Sequence, residues 1–150
     1  MLFTATSRAA LALLLFLSQV TLVGCGAGNG SDPSPQIPYA IVNEVLNLTN
    51  QENANLRFDN GAVTHAGGLR GLIVVRQPGG TYTAFERTCS YQPQNTCARV
   101  SIDPASRLFL IDSCCGSRFD LQGQVLAGPA TRPLRRYTTS VLGNLLSVNN

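Results

Sequence analysis

Cys114-Cys115-Gly116-Ser117-Arg118-Phe119-Asp120 is the stretch on which the fold turns. Its two adjacent thiols join Cys89 and Cys97 upstream, while the fifth cysteine of the chain, Cys25, stands apart near the start. Neighbouring side chains in an extended strand point to opposite faces, so Cys114 and Cys115 take different partners. Residues 98–102 (ARVSI) and 107–111 (RLFLI), joined by Asp103-Pro104-Ala105-Ser106, predict a hairpin centred between Pro104 and Ala105. Cys97 then falls within about two positions of facing Cys114. Of the three connectivities open to four cysteines, the nested one fits best, with Cys97–Cys114 inside Cys89–Cys115. Closing the inner loop stabilises the domain by ~3 kcal/mol. Structural zinc favours Cys pairs spaced by two to four residues. Seven residues separate Cys89 from Cys97 and none separates Cys114 from Cys115, so no metal is expected. No Cys-x-x-Cys occurs, which leaves a thioredoxin-type redox centre without support.

Working outward, the body of the chain reads as all-β. Residues 71–76 (GLIVVR) and 81–86 (TYTAFE) flank Gln77-Pro78-Gly79-Gly80 and predict a second hairpin. Residues 119–125 turn at Gln122-Gly123, and residues 138–142 and 145–148 flank Gly143-Asn144. Residues 41–48 alternate with one slip, and 41–57 is the one ambiguous region. No stretch after residue 38 has a sustained helical period with caps.

The first 24 residues have a different character. Arg8 precedes residues 9–23, an apolar run interrupted only by Ser18, Gln19 and Thr21. A bilayer-spanning helix needs ~20 apolar residues, so the run reads as an export signal. It ends in Leu22-Val23-Gly24-Cys25, which resembles the lipobox of bacterial lipoproteins. That resemblance implies lipidation of Cys25 and cleavage before it. Residues 26–38 (GAGNGSDPSPQIP) read as a flexible linker. The expected organisation is a signal peptide (1–24), a lipidated Cys25 with its linker (25–38) and one β domain (39–150). The expected partner is the lipid bilayer, reached through Cys25, with the outer membrane or periplasmic face favoured. Without Arg8, ten arginines face eight acidic residues. So slight an excess, with no dense basic patch, excludes a nucleic-acid partner.

The motif at 114–120 resembles the second cluster-binding loop of Rieske proteins, which commonly reads Cys-Pro-Cys-His-Gly-Ser-x-Phe/Tyr-Asp. The likeness continues through Gly128-Pro129-Ala130-Thr131-Arg132-Pro133-Leu134, the family's proline-rich cover loop, and on to Tyr137 and Gly143. It spans residues 71–148. The fold it implies is a pair of stacked antiparallel sheets with a small inserted cluster-binding subdomain, here held by disulfides. A Rieske cluster uses Cys-x-His and Cys-x-x-His, with both histidines on one iron. The equivalent positions here are Cys89, Tyr91, Asp112 and Cys115. Two of the four have lost a thiolate or imidazole, and His65, the only histidine, lies outside the motif in a turn or core role. Cys97 and Cys114 match the disulfide beside the cluster in many Rieske proteins. Cys89 and Cys115 match ligands that converge, so with no cluster between them they are expected to bond. Gly116, Ser117, Phe119, Gly128, Pro129 and Pro133 keep the loop scaffold, with Ser117 reduced to a turn residue and Phe119 and the proline loop packing the core.

The expectation is a membrane-anchored lipoprotein without a cofactor, in a non-enzymatic binding or envelope role with an unnamed envelope partner. No catalytic constellation can be built around a single histidine. The alternative is electron transfer through a [2Fe–2S] cluster with atypical ligands. Thiol–disulfide exchange at Cys89–Cys115 is the weakest reading, since a folding disulfide is buried and inert.

Overall fold

The computed structural model describes residues 36–150. The export signal, Cys25 and most of the linker therefore lie outside the described residues. Ten strands and one short helix follow in order. They are β1 (Asn43–Asn47), a 3-10 helix (Gln51–Arg57), β2 (Ala62–His65), β3 (Leu72–Arg76), β4 (Tyr82–Glu86) and β5 (Val100–Ile102). After them come β6 (Leu110–Asp112), β7 (Arg118–Phe119), β8 (Val125–Ala127), β9 (Arg136–Leu142) and β10 (Leu145–Asn149). The strands build a six-stranded sheet, β1-β10-β9-β4-β3-β2, and a four-stranded sheet, β5-β6-β7-β8. Every pairing is antiparallel. The smaller sheet is inserted in the chain between β4 and β9, as the expected subdomain requires. No helix among the described residues is long and apolar enough to cross a membrane.

The run Leu72-Ile73-Val74-Val75 is wholly buried, and the two faces of β3 belong to different cores. Ile73 and Val75 join Phe85, Cys89, Val100, Leu110 and Phe119 in one cluster. Leu72 and Val74 join Ala84, Tyr137, Leu146 and Val148 in the other. A strand covered on both faces reads as a continuous apolar run instead of an alternation. Each large aliphatic or aromatic side chain removed from water there contributes ~1.5–3 kcal/mol. The first core lies between the β3–β4 hairpin and the small sheet. The second is enclosed by the strands of the large sheet.

All four expected hairpins form, one of them shifted. In β5–β6, Val100 faces Asp112 and Ile102 faces Leu110, so the turn is centred on Ser106 and not between Pro104 and Ala105. The Asp103 carboxylate accepts from the Ser106 N–H at 2.7 Å and its hydroxyl at 2.8 Å. Arg107 then adopts a φ of 60°, which lengthens the turn. The 3-10 helix and β2 were not foreseen. A single run of i→i+3 turns carries no 3.6-residue period to detect. Its place is fixed by Leu56 in the second core and by Asn53, whose Nδ2 donates to Asn47 O at 2.9 Å.

The β7–β8 turn requires glycine at Gly123. Its φ is 82°, and a Cβ there would lie 2.5 Å from Phe85 Cε1. That close approach seats the turn on the first core.

Candidate functional site

Two loops of the small subdomain meet where β4 and β6 end. The first follows Glu86 and is closed by an isolated bridge between Thr88 and Arg99. The Cys89 N–H donates to Ala98 O at 3.2 Å, so residues 89–98 return on themselves. The second loop leaves β6 at Asp112 and returns at Ser117. The Asp112 N–H donates to Ser117 O at 2.9 Å, and the Gly116 N–H donates to Asp112 O at 2.8 Å. Cys97 and Cys114, both exposed, join the loops through a disulfide with Cα atoms 5.6 Å apart.

The loops bring Cys89, Asp112 and Cys115 together, with one ligand-capable atom from each lying within 4.8 Å of the others. Cys89 and Asp112 are fully buried and Cys115 is half-buried. The Cys89 and Cys115 sulfurs are 3.9 Å apart. Cys115 Sγ is also 3.3 Å from Asp112 Oδ2 and 3.1 Å from Ser117 Oγ. The other carboxylate oxygen, Oδ1, accepts the Cys114 N–H at 2.8 Å. Burial pushes the Cys89 thiol up; the nearby Tyr91 backbone N–H works in the opposite direction, and the Asp112 carboxylate adds to the rise.

These positions correct one sequence expectation. Cys89 and Cys115 do not close a second disulfide; both are free thiols. A disulfide needs sulfurs ~2.05 Å apart, and here Asp112 and Ser117 both hold contacts to the Cys115 sulfur. The loops supply a Cys/Asp/Cys group that no local spacing encodes. His65 is not part of this group. It ends β2, and its Nε2 lies 3.5 Å from Glu44 Oε2.

Ser117 does more than turn the chain. It is fully buried, and its Oγ accepts the Ala130 N–H at 3.0 Å. This bond fastens the 128–134 loop over the site. Ala130 and Leu134 carry that loop's apolar packing in the first core, together with Phe119. Gly128, Pro129 and Pro133 are exposed. Gly128, at φ 96°, lets the loop lie against Ser117, whose Cα would be 2.5 Å from any added Cβ. Tyr91 is half-buried against the same core, and its hydroxyl accepts from Gln92 Nε2 at 3.4 Å.

Elsewhere a surface groove of about 940 Å³ is lined by His65, Arg70, Arg87 and Arg99 among others, and by none of the four ligand-equivalent positions. Burial, and then the neighbouring Arg99, lower the pKa of Arg87.

No family model matches the sequence, and no curated protein matches it. Solved structures do. The ferredoxin of carbazole 1,9a-dioxygenase from Nocardioides aromaticivorans IC177 is 23% identical, with a TM-score of 0.43 over 61% of this chain and 86% of that one. The cyanobacterial plasma membrane Rieske protein PetC3 from Synechocystis PCC 6803 is 31% identical, with a TM-score of 0.52 over 65% of this chain and 93% of that one. Nearly the whole length of that relative thus has its counterpart here. The chain belongs to the Rieske family.

Proposed function

We propose that this protein is an exported, membrane-anchored lipoprotein whose Rieske domain carries no [2Fe–2S] cluster and serves a non-enzymatic binding or structural role in the envelope. The observation that carries this reading is the donor set. A Rieske cluster takes two thiolates on one iron and two imidazoles on the other. The equivalent positions hold Cys89, Tyr91, Asp112 and Cys115. Cys89 stands at a thiolate position and Cys115 at an imidazole position, so their sulfurs would bind different irons. Sulfurs 3.9 Å apart are close to contact and leave no room for two irons and their bridging sulfides between them. The residues therefore do not fit the family's cluster.

The lipobox at residues 22–25 and the glycine- and proline-rich tether after it support the anchored location. Metal and labile-sulfide analysis of the full protein tests the first claim. Neither stoichiometric iron nor visible sulfide-to-iron absorption is expected. Two irons and two labile sulfides per chain would establish electron transfer through a cluster instead. Cys25→Ala tests the second claim, since the variant should leave the membrane fraction; retention there with undiminished lipid labelling would sink it.

A further inference from the structure

We propose that Cys89, Asp112 and Cys115 form a binding site for one thiophilic divalent ion of the zinc type, with a fourth position open toward solvent on the Cys115 side. The proposal rests on the reading that the two-iron cluster is lost, and it states what the same loops hold in its place.

The first support is distance. Two thiolates on one tetrahedral ion, each ~2.3 Å from it, stand about 3.8 Å apart. The Cys89 and Cys115 sulfurs are 3.9 Å apart. The third donor is placed compatibly, with Asp112 Oδ2 3.3 Å from the Cys115 sulfur. All three donor atoms lie within 4.8 Å of one another, so the three side chains converge on one position that a single ion can enter.

The second support is charge. Asp112 is fully buried, and among the described residues it forms no salt bridge. A buried carboxylate without a cation is offset by a full set of hydrogen-bond donors, as Glu86 is by the Leu69, Arg70 and Thr88 N–H groups, or by a metal. Asp112 has one backbone N–H donor, from Cys114, and otherwise only the two thiols.

The third support is the ring of contacts around the donors. Metal ligands are generally oriented by hydrogen bonds from outside the site. Two of the three donors here have one. Ser117 Oγ lies 3.1 Å from the Cys115 sulfur, and the Cys114 N–H donates to Asp112 Oδ1. Because Ser117 Oγ already accepts the Ala130 N–H, its own hydrogen is available to a Cys115 thiolate.

The donors also select the ion. Thiolates favour zinc and other soft or borderline ions, whereas magnesium and calcium want oxygen ligands. Three protein ligands with one open position is the arrangement of zinc sites that accept water or a small ligand. Binding is a simple exchange. One divalent ion forms two bonds to sulfur and one to oxygen, and the two thiol protons leave to solvent. No electron is transferred.

The test is titration of the reduced, metal-free full-length protein with Co²⁺, followed by displacement with Zn²⁺. One equivalent of Co²⁺ should produce thiolate-to-cobalt charge transfer and the ligand-field bands of a tetrahedral site, and Zn²⁺ should abolish both. Cys115→Ser, at a half-buried position, and Asp112→Asn should each weaken Zn²⁺ binding at least 100-fold. Ser117→Ala should weaken it about 10-fold while leaving one equivalent bound. Circular dichroism of each variant shows whether its fold is kept. Absence of cobalt bands with both thiols titratable overturns the proposal, as does a Cys89–Cys115 disulfide in protein isolated from the cell envelope. Either result leaves the reading of a lost cluster standing. Two irons with labile sulfide would overturn both.

Discussion

The Tyr137 hydroxyl donates to Glu86 Oε2 at 2.9 Å, linking β9 to the end of β4 within the buried interior. Glu86 is fully buried, yet it is held by donors from three segments. Leu69 N–H reaches Oε2 at 2.9 Å; Arg70 N–H at 3.1 Å, and Thr88 N–H and hydroxyl at 2.9 Å, reach Oε1. The carboxylate ties the 66–71 loop to the base of the loop that bears Cys89. A Gly68 side chain would collide with it.

Glu86→Gln replaces one acceptor oxygen with an N–H₂ facing donors. It should cost about 3 kcal/mol, or roughly 10 °C in Tm, with the β-sheet signature retained. A Tm within 2 °C of the parent, taken as about 0.5 kcal/mol, would show that the network is dispensable.

The same residue sets a pH dependence. Burial would raise the Glu86 pKa, but the backbone N–H groups of Leu69, Thr88 and Arg70 and the Thr88 hydroxyl outweigh it, and the folded value lies below the ordinary one. A lowered folded value stabilises the fold above the unfolded carboxylate range, and that contribution is lost as pH falls through the folded value. Urea midpoints of parent and Glu86→Gln should differ most near neutral pH and converge under acid. A gap that widened toward acid would contradict the assignment. Tyr137 has the opposite sense. Burial, then the Glu86 carboxylate, raises its pKa, so its contribution is present below the ordinary tyrosine value and is lost in strong alkali.

Gly128→Ala should part the cover loop from Ser117. The added Cβ meets backbone, with Ser117 Cα at 2.5 Å and N at 2.9 Å, and φ there is 96°. A loss of about 2 kcal/mol is expected, with faster hydrogen exchange at the Ala130 amide. Gly143→Ala is the control. It has a positive φ but nothing within 4 Å, so only about 1 kcal/mol of backbone strain is expected.

Cys97→Ser removes the disulfide between the loops. The loop it closes spans a sequence separation of 17, and the loss should be ~3 kcal/mol, read as a lower denaturant midpoint. An unchanged midpoint would mean that core packing alone positions the loops.

In reduced, metal-free protein the two free thiols should differ in reactivity. Cys89 is fully buried and its thiol is pushed up by that burial, whereas Cys115 is half-buried. Timed alkylation read by mass spectrometry should label Cys115 first, since the thiolate is the reactive form and must be accessible. Preferential labelling of Cys89 would contradict this placement.

The strands were legible where side-chain pattern and turn residues agreed. Gly79-Gly80, Gly123 and Gly143 each mark a hairpin that forms. The β5–β6 turn shifted because Asp103 bonds Ser106, a side-chain preference that alternation does not carry. The loop motif led to Cys89, Asp112 and Cys115 one at a time. Their grouping was hidden because it depends on loops that close through backbone bonds such as Gly116 N–H to Asp112 O. Glu86 was missed for a related reason. Four of its bonds come from backbone or side chains in the 69–70 and 88 segments, and nothing in TYTAFE marks its last residue as an interior anchor.

The disulfide between Cys97 and Cys114 has one more consequence. It binds the two loops through residues that are not themselves donors, and the packed cover adds a second restraint through Ser117 and Ala130. The shape of the pocket is thus specified independently of its contents. In a small zinc-dependent module the ion organises the chain, and exchanging a ligand dissolves the fold. Here Cys97, Cys114, Ser117 and Ala130 hold the loops, and none of them belongs to the Cys89/Asp112/Cys115 group. The domain is a socket whose walls stand on their own fastenings.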